Sequence, residues 1–258
     1  MHTRFVAFHV VGLLLTAACC RGVETEASED QGPSIRVGAG VVVRSQPYIG
    51  TDSRVHPVPL FTYEGKRLYC RGISVGYWLF QRDGLSIGPV IQPRLAGYDE
   101  DDSSELDGMD DRDWSVDGGI GLNWRTRVGL FAISCVTDLL GRHDGQEVDL
   151  SYSILLDRAG FTFIPSVGVR YKSDHLVNYY YGVENDEVRL DARVSRPAYE
   201  ADDAVDPYLR LAVQRKLTQR WRLLGAVQCE WLDSEITASP IVDDHYEASF
   251  LLGVLYSW

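Results

Sequence analysis

Three things are scarce in these 258 residues. Beyond the first twenty positions no apolar run approaches the roughly 18 residues that a bilayer-spanning helix needs, so no transmembrane helix is predicted there. Cysteine is the second: past the leader only Cys70, Cys135 and Cys229 remain. An odd set at wide intervals, without paired short spacings, gives no disulfide framework and no zinc site, and the three read as small apolar fillers. The third is positive charge. A formal net charge of −12 argues against nucleic acid as a partner.

The opening stretch, MHTRFVAFHVVGLLLTAACC, sets Arg4 before an apolar run from Phe5 to Leu15 and then the small residues Thr16, Ala17 and Ala18. That is the layout of a secretory signal peptide, expected over residues 1–20, so the protein is expected to be exported. LTAAC has a faint likeness to a lipoprotein cleavage box with Cys19 as the lipidated residue. Thr16 stands where such boxes want leucine or a branched side chain, which favours plain cleavage. Residues 21–34, RGVETEASEDQGPS, read as a flexible acidic tail.

From Ile35 onward the texture is one of alternation. In WSVDGGIGLNW, residues 114–124, Trp114, Val116, Ile120, Leu122 and Trp124 share one face, while Ser115, Asp117 and Asn123 share the other. WRLLGAVQCEW repeats the device, with Trp221, Leu223, Val227, Cys229 and Trp231 opposing Arg222, Gln228 and Glu230. Ten steps at about 3.3 Å and a tilt of roughly 40° rise about 25 Å, the height of the apolar band of an outer-membrane barrel. The greasy face is therefore expected to meet lipid, with Trp114, Trp124, Trp221, Trp231, Tyr246 and Trp258 at the two interfaces. The polar face looks into a lumen.

The final strand places Tyr246, Phe250, Leu252, Val254, Tyr256 and Trp258 on one face and ends on an aromatic, the kind of ending that bacterial barrel-insertion machinery reads. In hydrocarbon an unpaired amide costs several kcal/mol, so the sheet must close. The predicted fold is all-β: a closed antiparallel transmembrane β-barrel over residues 35–258, with ten or twelve strands and twelve favoured. Candidate strands are 35–44, 56–63, 69–80, 85–97, 114–125, 127–138, 145–156, 160–172, one or two pieces between 177 and 196, 206–217, 220–232 and 246–257. Short periplasmic turns alternate with long outer loops only if 56–63 is not an ordinary spanning strand or the Glu64–Arg67 turn breaks the pattern.

The inner faces carry Arg36, Arg94, Arg125, Arg170, Arg210 and Arg222, with Asp117, Asp149, Glu230 and Glu247 against them. Opposite charges on neighbouring strands can pair across a lumen. Close pairing gives a filled, rigid barrel; separation around water gives a narrow channel. The acidic run 98–113 does not match the spacing of a calcium-binding EF-hand loop and reads as solvated. His143, His175 and His245 fall in or near separate connections, which gives no catalytic constellation, and no metal or cofactor site is expected. Tyr179, Tyr180 and Tyr181 read as interfacial belt residues on a strand.

PYIGTDSRVHPVPLFTYEGKRLYCRG, LSIGPVIQPRL, GRHDG, YKSDHLVNYYYGV, SPIVDD and the closing LLGVLYSW, in this order and spacing, resemble the MipA/OmpV family of Gram-negative outer-membrane proteins over about residues 35–258. The likeness thins at 184–205. It implies an outer-membrane barrel in contact with lipid and lipopolysaccharide. It also implies a non-enzymatic scaffold linking a lytic transglycosylase to a peptidoglycan synthase, other members being known mainly as antigens or stress-responsive proteins. A narrow diffusion channel is the alternative, and a barrel hydrolase a further one. The family offers no catalytic motif to transfer. If the greasy faces meet acyl chains, lipid-borne bromine will quench the tryptophan emission of the chain folded into vesicles; emission indifferent to the quencher would refute the barrel reading.

Overall fold

The computed structural model describes residues 33–191 and 195–258. The expected signal peptide and residues 21–32 of the expected tail lie outside them. The chain begins with β1 (Ser34–Arg44) and β2 (Arg54–Glu64), followed by β3 (Leu68–Arg71), β4 (Ser74–Tyr77), β5 (Phe80–Arg82) and β6 (Leu85–Arg94). Next come β7 (Ser115–Arg125), β8 (Leu130–Asp138), β9 (Gln146–Ser153), β10 (Leu156–Arg158) and β11 (Phe161–Lys172). Helix α1 (Asp174–Tyr181) and the short ribbon of β12 (Arg189–Leu190) and β13 (Ser195–Arg196) precede β14 (Ala204–Lys216). Then β15 (Trp221–Trp231), the single turn α2 (Ser234–Thr237) and β16 (Tyr246–Ser257) complete the fold.

All wall pairings are antiparallel. β16 returns to β1 in a register running from Arg36 opposite Ser257 to Arg44 opposite Ser249. β9 pairs with both β8 and β11, so the sheet has no free end. β4 and β5 share one place in the wall against β6, and β9 and β10 share one against β11. The result is a closed twelve-stranded antiparallel barrel.

The number matches expectation, but its parts differ. Residues 69–80 are not one strand: the chain climbs along β3, turns at Gly72 with φ +64°, and descends through β4 and β5. The Glu64–Arg67 turn therefore keeps the short-turn pattern, and β2 is an ordinary strand. Of the one or two strand pieces expected between 177 and 196, none of the described residues enters the wall; β12 and β13 pair only with each other. Leu176, Val177, Tyr180 and Tyr181 are the buried residues of α1, a spacing of one and four that suits a helix and not a two-residue period. The belt reading of Tyr179–Tyr181 is thereby corrected: these residues belong to a helix among the outer connections.

Alternation holds through the wall. In β14, Ala204, Asp206, Tyr208, Arg210 and Ala212 are buried, while Val205, Pro207, Leu209 and Leu211 between them are exposed. The six aromatics Trp114, Trp124, Trp221, Trp231, Tyr246 and Trp258 are all exposed, between 43% and 77%. Two inward aromatic rings lie flat over glycines of the neighbouring strand. A Cβ on Gly168 would sit 2.3 Å from the Tyr208 ring, and one on Gly76 would sit 2.2 Å from that of Tyr69.

One stretch of wall is thin. β2 pairs with β3 only over Thr62–Glu64, and β4 meets β6 only at Val75 and Gly76. Above Phe61, whose carbonyl accepts from Gly72 N–H at 2.8 Å, no strand among the described residues pairs with that edge of β2. Pro57 and Pro59 fall on the same alternation as Phe61, so the backbone there carries no N–H toward the gap. Pro93 stands likewise on β6, in step with Ile87, whose carbonyl accepts from Leu79.

The lumen is not polar throughout. Val42, Val58, Leu60, Ile164, Leu224 and Leu251 meet in a dry cluster with Ala212, Ala226 and Leu255, across the side of the barrel built by β11, β14 to β16, β1 and β2. Leu224 and Ala226 share the inner face of β15 with Gln228 and Glu230, so that face changes character along its length. Truncating Leu251, fully buried at the centre of this layer, is expected to cost about 2–5 kcal/mol, read as a lowered urea midpoint of Leu251→Ala in lipid vesicles.

Candidate functional site

Above the apolar layer the inward side chains become charged, and the strand registers bring them together. Arg94 of β6 bonds Asp117 of β7 at 2.5 Å and reaches Glu147 of β9 at 2.9 Å. Glu147 also faces Arg170 of β11, 3.5 Å away. Arg170 extends its guanidinium to Asp149 at 3.3 Å and to Glu230 of β15 at 2.5 Å. Glu230 in turn holds Lys172 at 3.3 Å, and Lys172 pairs with Asp206 of β14. A single chain of alternating charge thus crosses the lumen from Asp117 to Asp206.

Neighbours complete it. Tyr208 donates its O–H to Asp149 at 3.1 Å, and the guanidinium groups of Arg170 and Arg210 lie 5.4 and 5.1 Å from its ring. Arg210 Nε donates to Gln228 at 2.7 Å. Arg44 and Glu247 pair across the β1–β16 seam. Ion pairs held this close in a half-dry interior fix geometry more than they add stability. The space they leave is a cavity of about 220 Å³. It runs from beneath Tyr180 and Tyr181 down to Asn123 and Ser153, with Tyr69, Trp78 and Arg71 on one wall. The Tyr69 and Trp78 rings stack at 4.5 Å, and Arg71, paired with Glu64 at 2.7 Å, lies 4.4 Å from the Tyr69 ring.

The outer mouth is covered. Tyr48, Tyr98, Leu106, Met109, Tyr181 and Ile241, drawn from four separate connections, share one hydrophobic core with α1 and α2. The run 98–113 keeps most of its carboxylates exposed, as a solvated loop would, but it also buries Tyr98, Leu106 and Met109 in this core and is tied down: Arg112 pairs with Glu187 at 2.7 Å, and Arg196 donates to the carbonyls of Glu105 and Glu187 at 2.7 and 3.0 Å. Burial raises the ionisation of Tyr98, Tyr180 and Tyr181 well above the ordinary phenol range, so all three stay neutral. Asp233 caps α2 by accepting from Glu235 N–H; burial pushes its carboxyl up, but the backbone N–H groups of Glu235 and Val205 outweigh that and hold it low.

Asp117, Asp138 and His143 bring one potential ligand atom each within 4.8 Å of one another. The atoms are already engaged. His143 Nδ1 accepts from Gly145 N–H at 3.0 Å, which leaves Nε2 to donate to Asp117 at 3.1 Å. Asp138 accepts from Ser115 and from the backbone of Leu140, Arg142, His143 and Asp144. The trio clasps the 139–145 connection onto β7 and β8.

The family model described as MltA-interacting protein MipA matches residues 37–258. The chain belongs to the MipA family. Among MipA-family and OmpV-type relatives, it is 30% identical over 224 residues to the MltA-interacting protein of Escherichia coli K12, covering 86% of this chain and 89% of that one. It is 26% identical to outer membrane protein OmpV of Vibrio cholerae, over 71% and 70% of the two chains. Among solved structures it aligns with an outer membrane channel from Pseudomonas putida F1 at a TM-score of 0.43 and 10% identity, covering 92% and 99%. The protein is an outer-membrane β-barrel.

In this MipA-family barrel the lumen residues named from sequence divide. Asp117, Asp149, Arg170 and Glu230 meet in the network, as do Arg94 and, beside them, Arg210. Arg36 is buried near the opposite end of β1 from Arg44, Arg222 is half-buried at the foot of β15, and Arg125 is exposed where β7 ends. Lys172 shares the polar face of its strand with Arg170 by sequence parity, whereas Glu147, Asp206 and His143 were missed. Glu147 and Asp206 keep the two-residue alternation with Asp149 and Tyr208, and so were findable; His143 reaches Asp117 only through the fold of its loop. Replacing Arg170 with methionine leaves Glu147, Asp149 and Glu230 short of a shared cation. Arg170→Met should lose about 3–5 kcal/mol in urea unfolding, with part recovered when Glu230→Gln is added.

Proposed function

We propose that this barrel is a non-enzymatic scaffold that holds a lytic transglycosylase, and with it a peptidoglycan synthase, at the periplasmic side of the outer membrane. The observation that carries this reading is the match, across 86% of the chain, to a protein named for its interaction with MltA. The geometry supports it from two directions. The outer mouth is covered by a packed cap, which leaves the five short turns of the other end to meet periplasmic partners. Both ring nitrogens of His143 are engaged, and it stands in a structural clasp, not beside a nucleophile.

In the same reading, Trp114, Trp124, Trp221, Trp231, Tyr246 and Trp258 mark the two edges of the acyl-chain region, and the charged lumen acts as an internal brace. A diffusion channel is the second reading, and the cavity of about 220 Å³ is what favours it. The cap and the continuous ion-pair chain weigh against passage. The scaffold reading expects a periplasmic lytic transglycosylase to co-purify with the tagged full-length protein after mild crosslinking, and no discrete conductance steps from the protein in planar bilayers. Failure to recover any transglycosylase, together with steady unitary currents, would replace it with the channel.

A further inference from the structure

The connections at the two ends of the barrel differ in the sign of their charge. On the outer side the 98–113 connection alone carries nine carboxylates, and 232–245 adds four more without a lysine or arginine. On the periplasmic side the sign reverses. Each of the five turns holds an exposed arginine: Arg67 after β2, Arg82 at the end of β5, Arg127 after β7, Arg158 at the end of β10 and Arg220 before β15. Lys66, Arg125 and Lys216 add to them. The opposing acids in or beside these turns are Glu64, which pairs with Arg71 at 2.7 Å, Asp83, which pairs with its own neighbour Arg82 at 3.2 Å, and Asp157, which accepts from Thr162.

A second regularity accompanies the charge. Every one of the five arginines stands within two residues of an exposed apolar side chain at the lower edge of the wall. The partners are Leu68 (46% exposed), Phe80 (47%), Val128 (68%), Leu156 (50%) and Trp221 (44%). A guanidinium anchored beside the last apolar residue of a lipid-facing surface lies in the headgroup plane, its stem along the acyl boundary and its planar fork at phosphate height.

We propose that this ring binds the phosphates of anionic glycerophospholipids in the inner leaflet and draws those lipids into the annulus of the barrel. The distribution favours lipid over an acidic protein surface. The cations follow the circumference, one set to each hairpin, and each has an apolar companion that a docking protein would not require. The acidic outer end repels the same lipids, so any selectivity must come from the periplasmic turns. This inference is independent of the scaffold reading, since its test contains no partner protein.

The test is lipid selectivity by electron spin resonance. The purified full chain is folded into phosphatidylcholine vesicles carrying a trace of spin-labelled phosphatidylglycerol or spin-labelled phosphatidylcholine. The motionally restricted fraction should favour phosphatidylglycerol by about threefold or more at low salt and approach parity in 1 M NaCl. The five-site variant Arg67→Gln, Arg82→Gln, Arg127→Gln, Arg158→Gln, Arg220→Gln should lose the preference, and lysine at the same five positions should keep it. Equal association of the two lipids with the unmodified chain overturns the proposal, as does a preference that survives the glutamine set. Should the glutamine variant not fold, judged by loss of the heat-dependent gel shift, the salt titration of the unmodified chain decides, and a preference unmoved by 1 M NaCl overturns it. Absence of lipid preference with salt-labile capture of an acidic periplasmic protein would also overturn it, and would give the ring to a protein partner.

Discussion

The constraint on which this structure rests is that a peptide group in hydrocarbon has no water to bond. Each N–H and C=O crossing the membrane must find another backbone group, and the one sheet that leaves none over is a closed one. Closure explains the pairing of β16 with β1, and it explains why the polar residues of every strand had to be gathered on the inside. The lumen network follows from that gathering: charges that cannot face lipid meet one another at the centre, where the register of neighbouring strands decides which carboxylate each arginine receives.

The interior is organised by height. A dry cluster around Leu251 and Ile164 fills one side, the chain of ion pairs from Asp117 to Asp206 spans the level above, and the cap with Tyr180 and Tyr181 rests over both. Arg170 is the member common to most contacts, with two carboxylates from β9, one from β15 and the Tyr208 ring around it.

The wall was legible in the sequence because its code has a period of two and persists over ten residues at a time. WSVDGGIGLNW and WRLLGAVQCEW each display both faces without help from the rest of the chain, and Asp117 and Glu230 could be placed inward from parity alone. The cap was not legible. Its core is assembled from four connections, and nothing local in YDEDDSSELDGMDDRD announces that Leu106 and Met109 will be buried while the carboxylates around them stay wet. The helix α1 hid for a related reason: three consecutive tyrosines suit a strand edge as well as a helix, and only the burial of Leu176 and Val177 one turn earlier separates the two. The division of 69–80 into two short pieces depends on Gly72, a single residue whose left-handed backbone turns the chain within the wall.

That division leaves the barrel with an unequal seam. Elsewhere adjoining strands of the wall are stitched over seven or more residue pairs, but between β2 and β6 the stitching thins to between two and four at each join. Cohesion is lowest along this line, so a stave-by-stave unzipping under heat or denaturant starts here. The prolines on either lip remove donors that a passing strand from another molecule would need, which disfavours pairing and aggregation along the weakest line of the wall.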